Sequence, residues 1–336
     1  MSGERRILAG LLCLLAVLLL VASVCGRYGI PCSRLWELVR MRLCGASLEG
    51  NSEAVVFFSL RLPRLLAAVL AGTALSASGA ACQAVFRNPM ADPGLLGVSS
   101  GAACGAAFGL LMTDSILAVQ ACAFGGGIVA ALAAVGLSRL VSREGEETLT
   151  LILCGIVVNA TATALLSLAK VWADPYSKLP AITFWLMGGL SGVDGRDLLH
   201  AAWVAPPALA VLWLLRAPLD ALAFGEEEAR SLGVRVAAVR MGAVAASTLL
   251  VTGCVSLCGL VGWVGILVPH LARLLVGPRF SLQLPASILL GGAYLLGVDT
   301  LSRSLFPLEI PLGIVTSLMG APVFALLLRK GKRGWA

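Results

Sequence analysis

Charged residues are scarce in this chain. Asp, Glu, Lys and Arg make up 13% of its 336 residues, about half of the ~25% usual in soluble domains, and only four residues are lysine. The two histidines, His200 and His270, lie far apart in the sequence and have no carboxylates at ligand spacing. These shortages argue against a soluble domain and against a metal site.

Several motifs of catalysis and nucleotide binding are also missing. No G-x-x-x-x-G-K-[ST] occurs, so the chain does not hydrolyse nucleotide itself. There is no H-E-x-x-H, no paired-aspartate motif and no positioned serine–lysine pair, which argues against an intramembrane enzyme. The ten cysteines include no C-x-x-C pair, and most lie in apolar runs, where cysteine behaves as a small hydrophobe. Only Cys32 and Cys44 lie in a segment where a disulfide is an option.

Apolar residues are abundant and occur in long runs. They make up 59% of the chain, and a membrane-spanning helix needs ~20 of them in succession. We count ten such runs, over 7–26, 62–86, 94–112, 115–138, 148–171, 184–215 (interrupted), 236–257, 259–276, 284–302 and 310–328. The pattern predicts an all-α polytopic membrane protein of about ten transmembrane helices, with a single domain over 1–336 and an outer segment over 27–60.

The first apolar run is read as a membrane span. It starts at Ile7, is about 20 residues long and ends without a small-x-small cleavage site, so we expect an uncleaved span rather than a signal peptide. A lipoprotein-like ending at Ala22–Cys25 is the alternative, which Val24 fits poorly. With both termini inside, fifteen of the 25 Lys and Arg residues fall on the inner side, as the positive-inside rule requires. The arginines of 27–60 weaken this count.

Small residues recur at helical spacing within the runs. Gly101, Gly105 and Gly109 fall every fourth position, and Gly72, Ser76 and Ala80 repeat this pattern on the preceding run. Such stripes allow two helix backbones to approach closely. A third set, Gly259, Gly262 and Gly265, lies every third residue ahead of Pro269. Bundle packing explains all three, and sliding of close-packed helices between two states is the functional alternative.

The predicted spans hold few ionisable residues. Asp299 is the nearest to a buried acid, and Arg303, one helical turn later, is placed to pair with it. An ion-coupled secondary transporter usually needs a titratable group near the middle of the membrane, so this alternative is disfavoured. If the chain moves a solute uphill, the energy has to come from another protein.

The polar segment 219–234, LDALAFGEEEARSLGV, is the candidate for that coupling. Its apolar residues keep a roughly helical spacing between two glycine breaks, Gly225 and Gly233. These apolar residues are Leu219, Leu222, Ala223, Ala229 and Leu232. We expect a short amphipathic helix that fits a groove in a cytoplasmic partner. Lying on lipid is the alternative, which the glutamates from Glu226 onward oppose at an anionic leaflet.

Several long motifs, in order and at similar spacing, resemble one family. They are RLPR at 61–64, SGAACQAVFRNPMADPGLLGVSSGA at 78–102, GEEEARSLGV at 225–234, GLVGWVGILVPHLARLLVG at 259–277, LPASILLGGAYLLGVDTLSR at 284–303 and LEIPLGIVTSLMGAPVFALLL at 308–328. This chain resembles the FecCD family, the permeases of iron-siderophore, haem and cobalamin type II ABC importers. Trp263 departs modestly from the pattern, since phenylalanine is commoner there.

The resemblance implies a type II importer permease fold and a defined set of partners. The permease pairs with itself, two ATPase subunits that hold ATP and Mg bind below, and a substrate-binding protein docks above. The coupling helix then maps to Leu219–Gly233, which includes Glu226. The arginines that receive acidic residues of the binding protein map to Arg61, Arg64 and Arg303. Anchoring of helix ends at the interface is the alternative for each arginine alone.

The resemblance also implies a translocation path along the fifth and tenth spans at the dimer axis. The residues proposed to line it are Asn159, Thr161, Thr163 and Ser167 on one span and Thr316 and Ser317 on the other, with Thr148 as a candidate for the inner gate. Hydroxyls bonded to their own helix backbone are the commoner situation residue by residue. The implied ligand is a ferric siderophore, with haem and cobalamin as the alternatives.

Overall fold

The computed structural model describes residues 3–26, 28–45, 50–141, 147–304 and 308–331. Arg27 of the outer segment and the basic residues Lys332 and Arg333 at the C-terminus lie outside the described residues. Within these ranges the chain is helical, with turns and loops between the helices and no strand. This confirms the all-α prediction.

The helices follow the predicted order. They are α1 (Gly3–Val24), α2 (Cys32–Leu43), α3 (Ser52–Val55), α4 (Leu62–Val85), α5 (Val98–Met112), α6 (Ile116–Val141), α7 (Glu147–Trp172), α8 (Lys178–Met187), α9 (Gly195–Leu214), α10 (Arg216–Leu222), α11 (Glu226–Ser231), α12 (Val236–Cys258), α13 (Val264–Val276), α14 (Phe280–Ser304) and α15 (Leu312–Gly331). A π-helical turn (Val56–Arg61) joins α3 to α4, and a 3₁₀ turn (Pro93–Leu96) precedes α5.

The number of spans agrees with the sequence prediction. Among the described residues, seven helices are long and apolar enough to cross a membrane, and α5, α13 and α15 are shorter apolar helices. Some predicted boundaries differ from those of the structure. The interrupted run 184–215 divides into α8 and α9, because Gly188 takes a φ of 71° and Asp194 begins α9 with a capping box. The eighth run begins at Val264 instead of 259, because Gly259 (φ 70°) ends α12.

The second span is longer than predicted. It begins at Ser52, ten residues before the predicted start, and continues without a break to Val85, giving a helix of 34 residues. The π-helical turn precedes Pro63, whose ring cannot tolerate an ordinary carbonyl four residues earlier, and the wider turn makes room for it. Arg61 and Arg64 therefore lie within a helix and not at its first turn.

Two helices, α4 and α12, form the centre of the bundle. Most of their residues are buried, and α4 packs against α14, α12, α13 and α9. By contrast, only Leu11 and Ala22 of α1 are buried, and α1 packs mainly against α14. The core is thus built from the middle of the chain, and α1 is a peripheral helix.

The glycine stripes pack as predicted on two of the three helices. A Cβ on Gly101, Gly105 or Gly109 would meet α6, at Gly126 or Cys122. Gly72 meets the backbone of Gly291 on α14 in the same way. These contacts confirm close backbone approach.

The third stripe is not a helix face. Gly259 and Gly262 lie in the loop between α12 and α13, because α12 ends at Cys258. Only Gly265 is helical, and it packs against Gly79 of α4.

The outer segment contains α2, which rules out the disulfide considered from the sequence. Cys32 is the first residue of α2 and Cys44 follows its last turn, and both are exposed free thiols. A helix rises ~1.5 Å per residue, which puts the two Cα atoms roughly 18 Å apart, whereas a disulfide needs them within about 7 Å.

Candidate functional sites

The outer end of the bundle holds a cluster of charges around Asp299, a residue of α14 with no exposed surface. Arg64 donates to Asp299 Oδ1 from Nε at 2.9 Å and from Nη2 at 2.8 Å, and its Nη1 donates to Glu309 at 3.0 Å. The Nε of Arg303 lies 3.5 Å from Asp299 Oδ2, an ion pair without hydrogen-bond geometry. The pairing of Asp299 with Arg303 is confirmed, and Arg64 is a second and closer partner.

The three arginines predicted to dock a binding protein differ in exposure. Arg61 and Arg303 are each 6% exposed, and their guanidinium groups donate to backbone carbonyls at the end of α1. Arg64 retains 13% of its side-chain surface and lies at the edge of a cavity. Arg64 and Arg303 meet at Asp299, Arg61 lies next to Arg303 beside Gly26, and of the three only Arg64 lines the cavity.

That cavity, of about 440 Å³, lies where three helices end. The Gly189 amide donates to the Cys258 carbonyl at 2.8 Å, and the Leu312 amide donates to the Gly188 carbonyl at 2.9 Å. These bonds tie together the end of α8, the end of α12 and the start of α15. Besides Arg64, the polar side chains of its lining include Gln120, Ser191, Asp197, Ser256, Ser302 and Glu309.

The predicted coupling segment consists of two short helices, α10 and α11, in place of a single helix. The break falls at Gly225, which has a φ of 133° and where a Cβ would collide with Glu228. Leu219, Leu222 and Ala229 are each at most 1% exposed, so their apolar face packs on the permease itself.

The residues that this segment presents outward are a different set. Ala223 and Gly233 are exposed, Leu232 is 68% exposed, and the neighbouring Phe224 is 76% exposed. In this chain Leu222 is covered by the permease itself, and its contact with a partner stays a prediction, because helical spacing does not tell which protein covers the apolar face.

Glu226 joins α11 to two transmembrane helices. Its Oε1 accepts from the Oγ1 of Thr148, at the start of α7, at 3.1 Å, and from Arg240 Nη2 on α12. Arg230 Nη2 lies 3.6 Å from its other oxygen. Arg240 is 4% exposed, so the glutamate compensates a buried charge. Thr148, predicted as a gate residue, thus belongs with the coupling segment in this geometry.

Sequence reasoning missed three residues of these clusters. Phe224 is the aromatic residue between LDALA and the glycine break, and an exposed aromatic in a polar loop is a recognisable signal. Glu309 lies two residues before Pro311 and gave no pattern. Arg240 was counted only as an inner charge, since nothing in its spacing shows that it reaches back 14 residues to Glu226.

The candidate path residues use their hydroxyls within their own helices. Thr161, Thr163 and Ser167 of α7 each donate to the carbonyl four residues earlier, at 2.8–2.9 Å. Thr316 and Ser317 of α15 both donate to the Gly313 carbonyl, at 3.3 and 2.7 Å. The alternative of backbone bonding is confirmed for all five.

Asn159 is the exception on α7. Its side chain accepts from Ser100 of α5, and it is half-buried. Thr316 is fully buried, whereas Thr161, Thr163, Ser167 and Ser317 are exposed on this single chain.

Among the described carboxylates outside the spans, four have shifted pKa values, and two of these, Asp114 and Asp92, lie in turns between helices. The hydrogen bond from Lys178 of α8, at 2.5 Å, lowers the pKa of Asp114 in the turn between α5 and α6. Burial raises the pKa of Asp92, against hydrogen bonds from the backbone at Gly94 and Leu95. The first pair ties α8 to its neighbours on the outer side. The second carboxylate caps the 3₁₀ turn on the inner side.

These features define a polytopic membrane permease with separate charge clusters at its outer and inner ends. Among the described residues, no group of three His, Cys, Asp or Glu side chains is placed to hold a metal ion.

Comparison with known proteins identifies the family. The profile of the FecCD transport family matches residues 14–330. The chain is 35% identical over 331 residues to the molybdate import permease MolB of Haemophilus influenzae, covering 98% of this chain and 97% of MolB. It is 36% identical over 280 residues to an iron chelatin transport permease of Helicobacter pylori, covering 83% of this chain and 84% of the relative.

A solved structure agrees over the whole fold. An ABC transporter of the metal-chelate type in an inward-facing conformation superposes with a TM-score of 0.85 at 34% identity, covering 97% of this chain and 99% of the other. The chain belongs to the FecCD transport family. It is a multi-pass inner-membrane permease subunit of an ABC importer, it carries no cofactor, and ATP is bound by a partner ATPase.

Proposed function

We propose that this permease acts as a homodimer that imports a bulky metal chelate, with a ferric siderophore as the favoured ligand and haem or cobalamin as alternatives. The supporting observation is the chemistry of α7 and α15. No charged residue occurs between Thr148 and Ala169 or between Leu312 and Leu328. The ion-coupled alternative is set aside, because an ABC importer draws its energy from ATP bound by the partner ATPase and needs no ion gradient.

The scarcity of free hydrogen-bond donors on α7 and α15 indicates which class of ligand the path suits. A small oxyanion such as molybdate is usually held by charged or N–H donors. Five candidate path hydroxyls of α7 and α15 are instead bonded to their own helix backbone, so they offer a weakly polar surface. Such a surface suits a large ligand that passes without tight binding. A weakly polar path therefore favours an iron chelate, the ligand named for the Helicobacter relative, over molybdate, the ligand named for MolB.

The experiment on the ligand uses the cognate substrate-binding protein, purified with what it carries from the cell. We expect the visible charge-transfer band of a ferric hydroxamate or catecholate. A Soret band or a corrin spectrum would move the assignment to haem or cobalamin. A colourless protein that contains molybdenum would contradict the proposal.

The homodimer would bring α7 and α15 of two copies to one axis. Large apolar side chains stand exposed on both helices, among them Leu153 and Ile156 on α7 and Leu318 on α15. Lipid would cover such side chains equally well. Ser167→Cys and Ser317→Cys, in a background without the exposed natural cysteines, distinguish the two. We expect cross-linked dimers from both variants and none from a cysteine at Trp203, an exposed residue of α9.

Docking and coupling complete the proposal. Arg61, Arg64 and Arg303 would receive acidic residues of the binding protein at the outer end, with Arg64 as the first point of contact because it faces the cavity. At the inner end, α10 and α11 would enter a cleft of each ATPase. Phe224 and Leu232 supply the exposed apolar contacts there, and Glu226 passes motion of α11 on to α7 and α12.

The arrangement also predicts on which side of the membrane the two chain termini lie. With α10 and α11 on the cytoplasmic side, ten spans put both chain ends in the cytoplasm. A fluorescent or enzymatic reporter fused to the C-terminus tests this: activity confined to the cytoplasm supports the orientation, and outer activity contradicts it.

A further inference from the structure

The outer end of α1 is held by side chains from two other helices. The last four carbonyls of a helix have no partner within the helix, and they carry the negative end of its dipole. In α1 this end lies against Arg61, the last residue of the π-helical turn, and Arg303 of α14. Both guanidinium groups are buried.

Arg61 donates to two backbone carbonyls, one in the last turn of α1 and one in the segment that follows α1. Its Nη1 donates to the Ser23 carbonyl at 2.7 Å, and its Nη2 donates to the Tyr28 carbonyl at 2.6 Å. One guanidinium thus joins the last turn of α1 to the segment that follows it. Hydrogen bonds from a charged donor are about twice as strong as those between neutral groups.

Arg303 binds the same turn from the opposite helix. Its Nη2 donates to the Ala22 carbonyl at 2.6 Å, and its Nη1 donates to the Cys25 carbonyl at 2.8 Å. The Nε that remains faces Asp299 at 3.5 Å. Both terminal nitrogens of each arginine are therefore occupied by backbone of the α1 end.

Gly26 passes between the two guanidinium groups. A Cβ at this position would lie 2.8 Å from Arg61 Nη2 and 3.1 Å from Arg303 Nη1. A side chain here would force the Arg61 guanidinium to shift and would crowd that of Arg303. The absence of a side chain is thus part of the same arrangement, which we call the α1 clamp (Gly26, Arg61 and Arg303).

We propose that the α1 clamp fixes the outer end of α1 in the resting permease, and that an acidic partner bound at Arg61 and Arg303 releases it. The second half rests on the docking role proposed above. A carboxylate that binds a guanidinium bidentately needs two of its N–H donors. In both arginines each terminal nitrogen already donates one N–H to backbone at or just after the end of α1, and both side chains are buried, so an acidic partner can reach the guanidinium groups only by displacing these carbonyls.

The position of α1 makes such a release structurally feasible. It has only two buried residues, Leu11 and Ala22, and it packs mainly against α14. Loss of the clamp would leave α1 attached chiefly through α14, with smaller contacts to α4 and α13, while the packing of α4 against α12 stays in place. The helix can therefore move while the core remains intact.

Cys25 supplies a reporter at the clamp, because its thiol is exposed while its carbonyl accepts from Arg303. The test uses a spin label on Cys25 in the full transporter in nanodiscs, after the exposed Cys13, Cys32, Cys44 and Cys122 are replaced by serine. We expect an immobile label in the resting state. Arg303→Gln should raise the mobile fraction severalfold, and Arg40→Gln, an exposed arginine of α2, should not.

Gly26→Ala keeps both arginines and is the second variant, in case Arg303→Gln does not fold. It should also mobilise the label. A label as immobile in both variants as in the unmodified clamp would overturn the proposal.

Adding saturating amounts of the cognate binding protein to the spin-labelled transporter tests the release of α1 separately from the clamp itself. A mobile label after docking supports release. If binding is tight and the label stays immobile, release is wrong. If Arg61→Gln and Arg303→Gln mobilise the label but leave the affinity of the binding protein unchanged, the docking role fails and the clamp alone stands.

Discussion

The two charge clusters of this permease are built in opposite ways. At the outer end, one fully buried carboxylate, Asp299, is bound by Arg64 and faces Arg303, and the spare arginine donors hold backbone carbonyls. At the inner end, one glutamate with 35% of its side chain exposed, Glu226, is shared by Arg240 and Thr148. Both clusters have more donor side chains than carboxylates, but the outer one is centred on a carboxylate with no exposed surface and the inner one on a carboxylate that is partly exposed.

This difference shows how each end can work. A fully buried ion pair is expensive to disturb, because removing one partner leaves a charge without compensation. A half-exposed carboxylate at the junction of three helices can be displaced at lower cost, since water replaces part of its contacts. The outer cluster is therefore suited to fixing helices, and the inner one to transmitting movement from α11.

The largest effect is expected at Asp299. Asp299→Ala leaves the buried Arg303 without its carboxylate and Arg64 with Glu309 alone, and breaking such a buried pair costs ~3–5 kcal/mol. We expect a strongly lowered Tm of the detergent-solubilised protein, or loss of folded protein. Glu309→Gln is the matched control, because Glu309 is 32% exposed and pairs only with Arg64, so its loss should cost under ~1 kcal/mol. Equal losses for the two variants would contradict the difference in burial.

An intermediate effect is expected at Phe224. Phe224→Ala removes a large exposed aromatic group from the proposed ATPase contact, and truncation of such an anchor costs ~2 kcal/mol or more. The affinity of the ATPase subunit should fall by at least an order of magnitude in a binding assay in nanodiscs. Trp203→Ala, on an equally exposed aromatic residue of α9, should leave it unchanged. Unchanged affinity in Phe224→Ala would exclude it as a contact.

Leu222 gives a sharper comparison within the same segment. It is 1% exposed, so Leu222→Ala should lower stability by ~2–5 kcal/mol while its folded fraction binds the ATPase normally. Thermal unfolding and ATPase binding of the same sample separate the two effects. A folded Leu222→Ala protein with weakened binding would show that the segment turns its buried face outward in the assembled transporter.

The smallest effect is expected for Arg64 in docking. Arg64→Lys keeps the charge but loses the planar fork, so binding of the substrate-binding protein should weaken by only a fewfold and remain sensitive to salt. Titration at low and high salt measures this. Arg40→Lys on α2 is the control, and it should change neither value.

Much of the fold followed from local patterns in the sequence. The apolar runs gave the spans, the spacing of Gly101, Gly105 and Gly109 gave the packing with α6, and the four-residue interval gave the pairing of Asp299 with Arg303. Each of these depends on residues close together in the chain, whose relative positions the helix geometry determines.

The failures involve contacts between distant segments. Arg61 binds carbonyls 33 and 38 positions away, and a backbone acceptor leaves no trace in the side-chain pattern. The spacing of Leu219, Leu222 and Ala229 identifies one face of the segment but not the surface that covers it. Cys32 and Cys44 looked close enough for a disulfide in the sequence, but the α2 helix between them holds them apart by its rise per residue.

The most direct test of the inner cluster is the number of ligand molecules imported per ATP hydrolysed in proteoliposomes. Glu226→Gln keeps the shape of the side chain but weakens its bonds to Arg240 and Thr148, and Glu227→Gln changes an exposed neighbour without these contacts. We predict that Glu226→Gln still supports ATP hydrolysis but imports severalfold fewer molecules per ATP, with Glu227→Gln unchanged. An unaltered ratio in Glu226→Gln would contradict the view that this carboxylate passes the movement of α11 to the transmembrane helices.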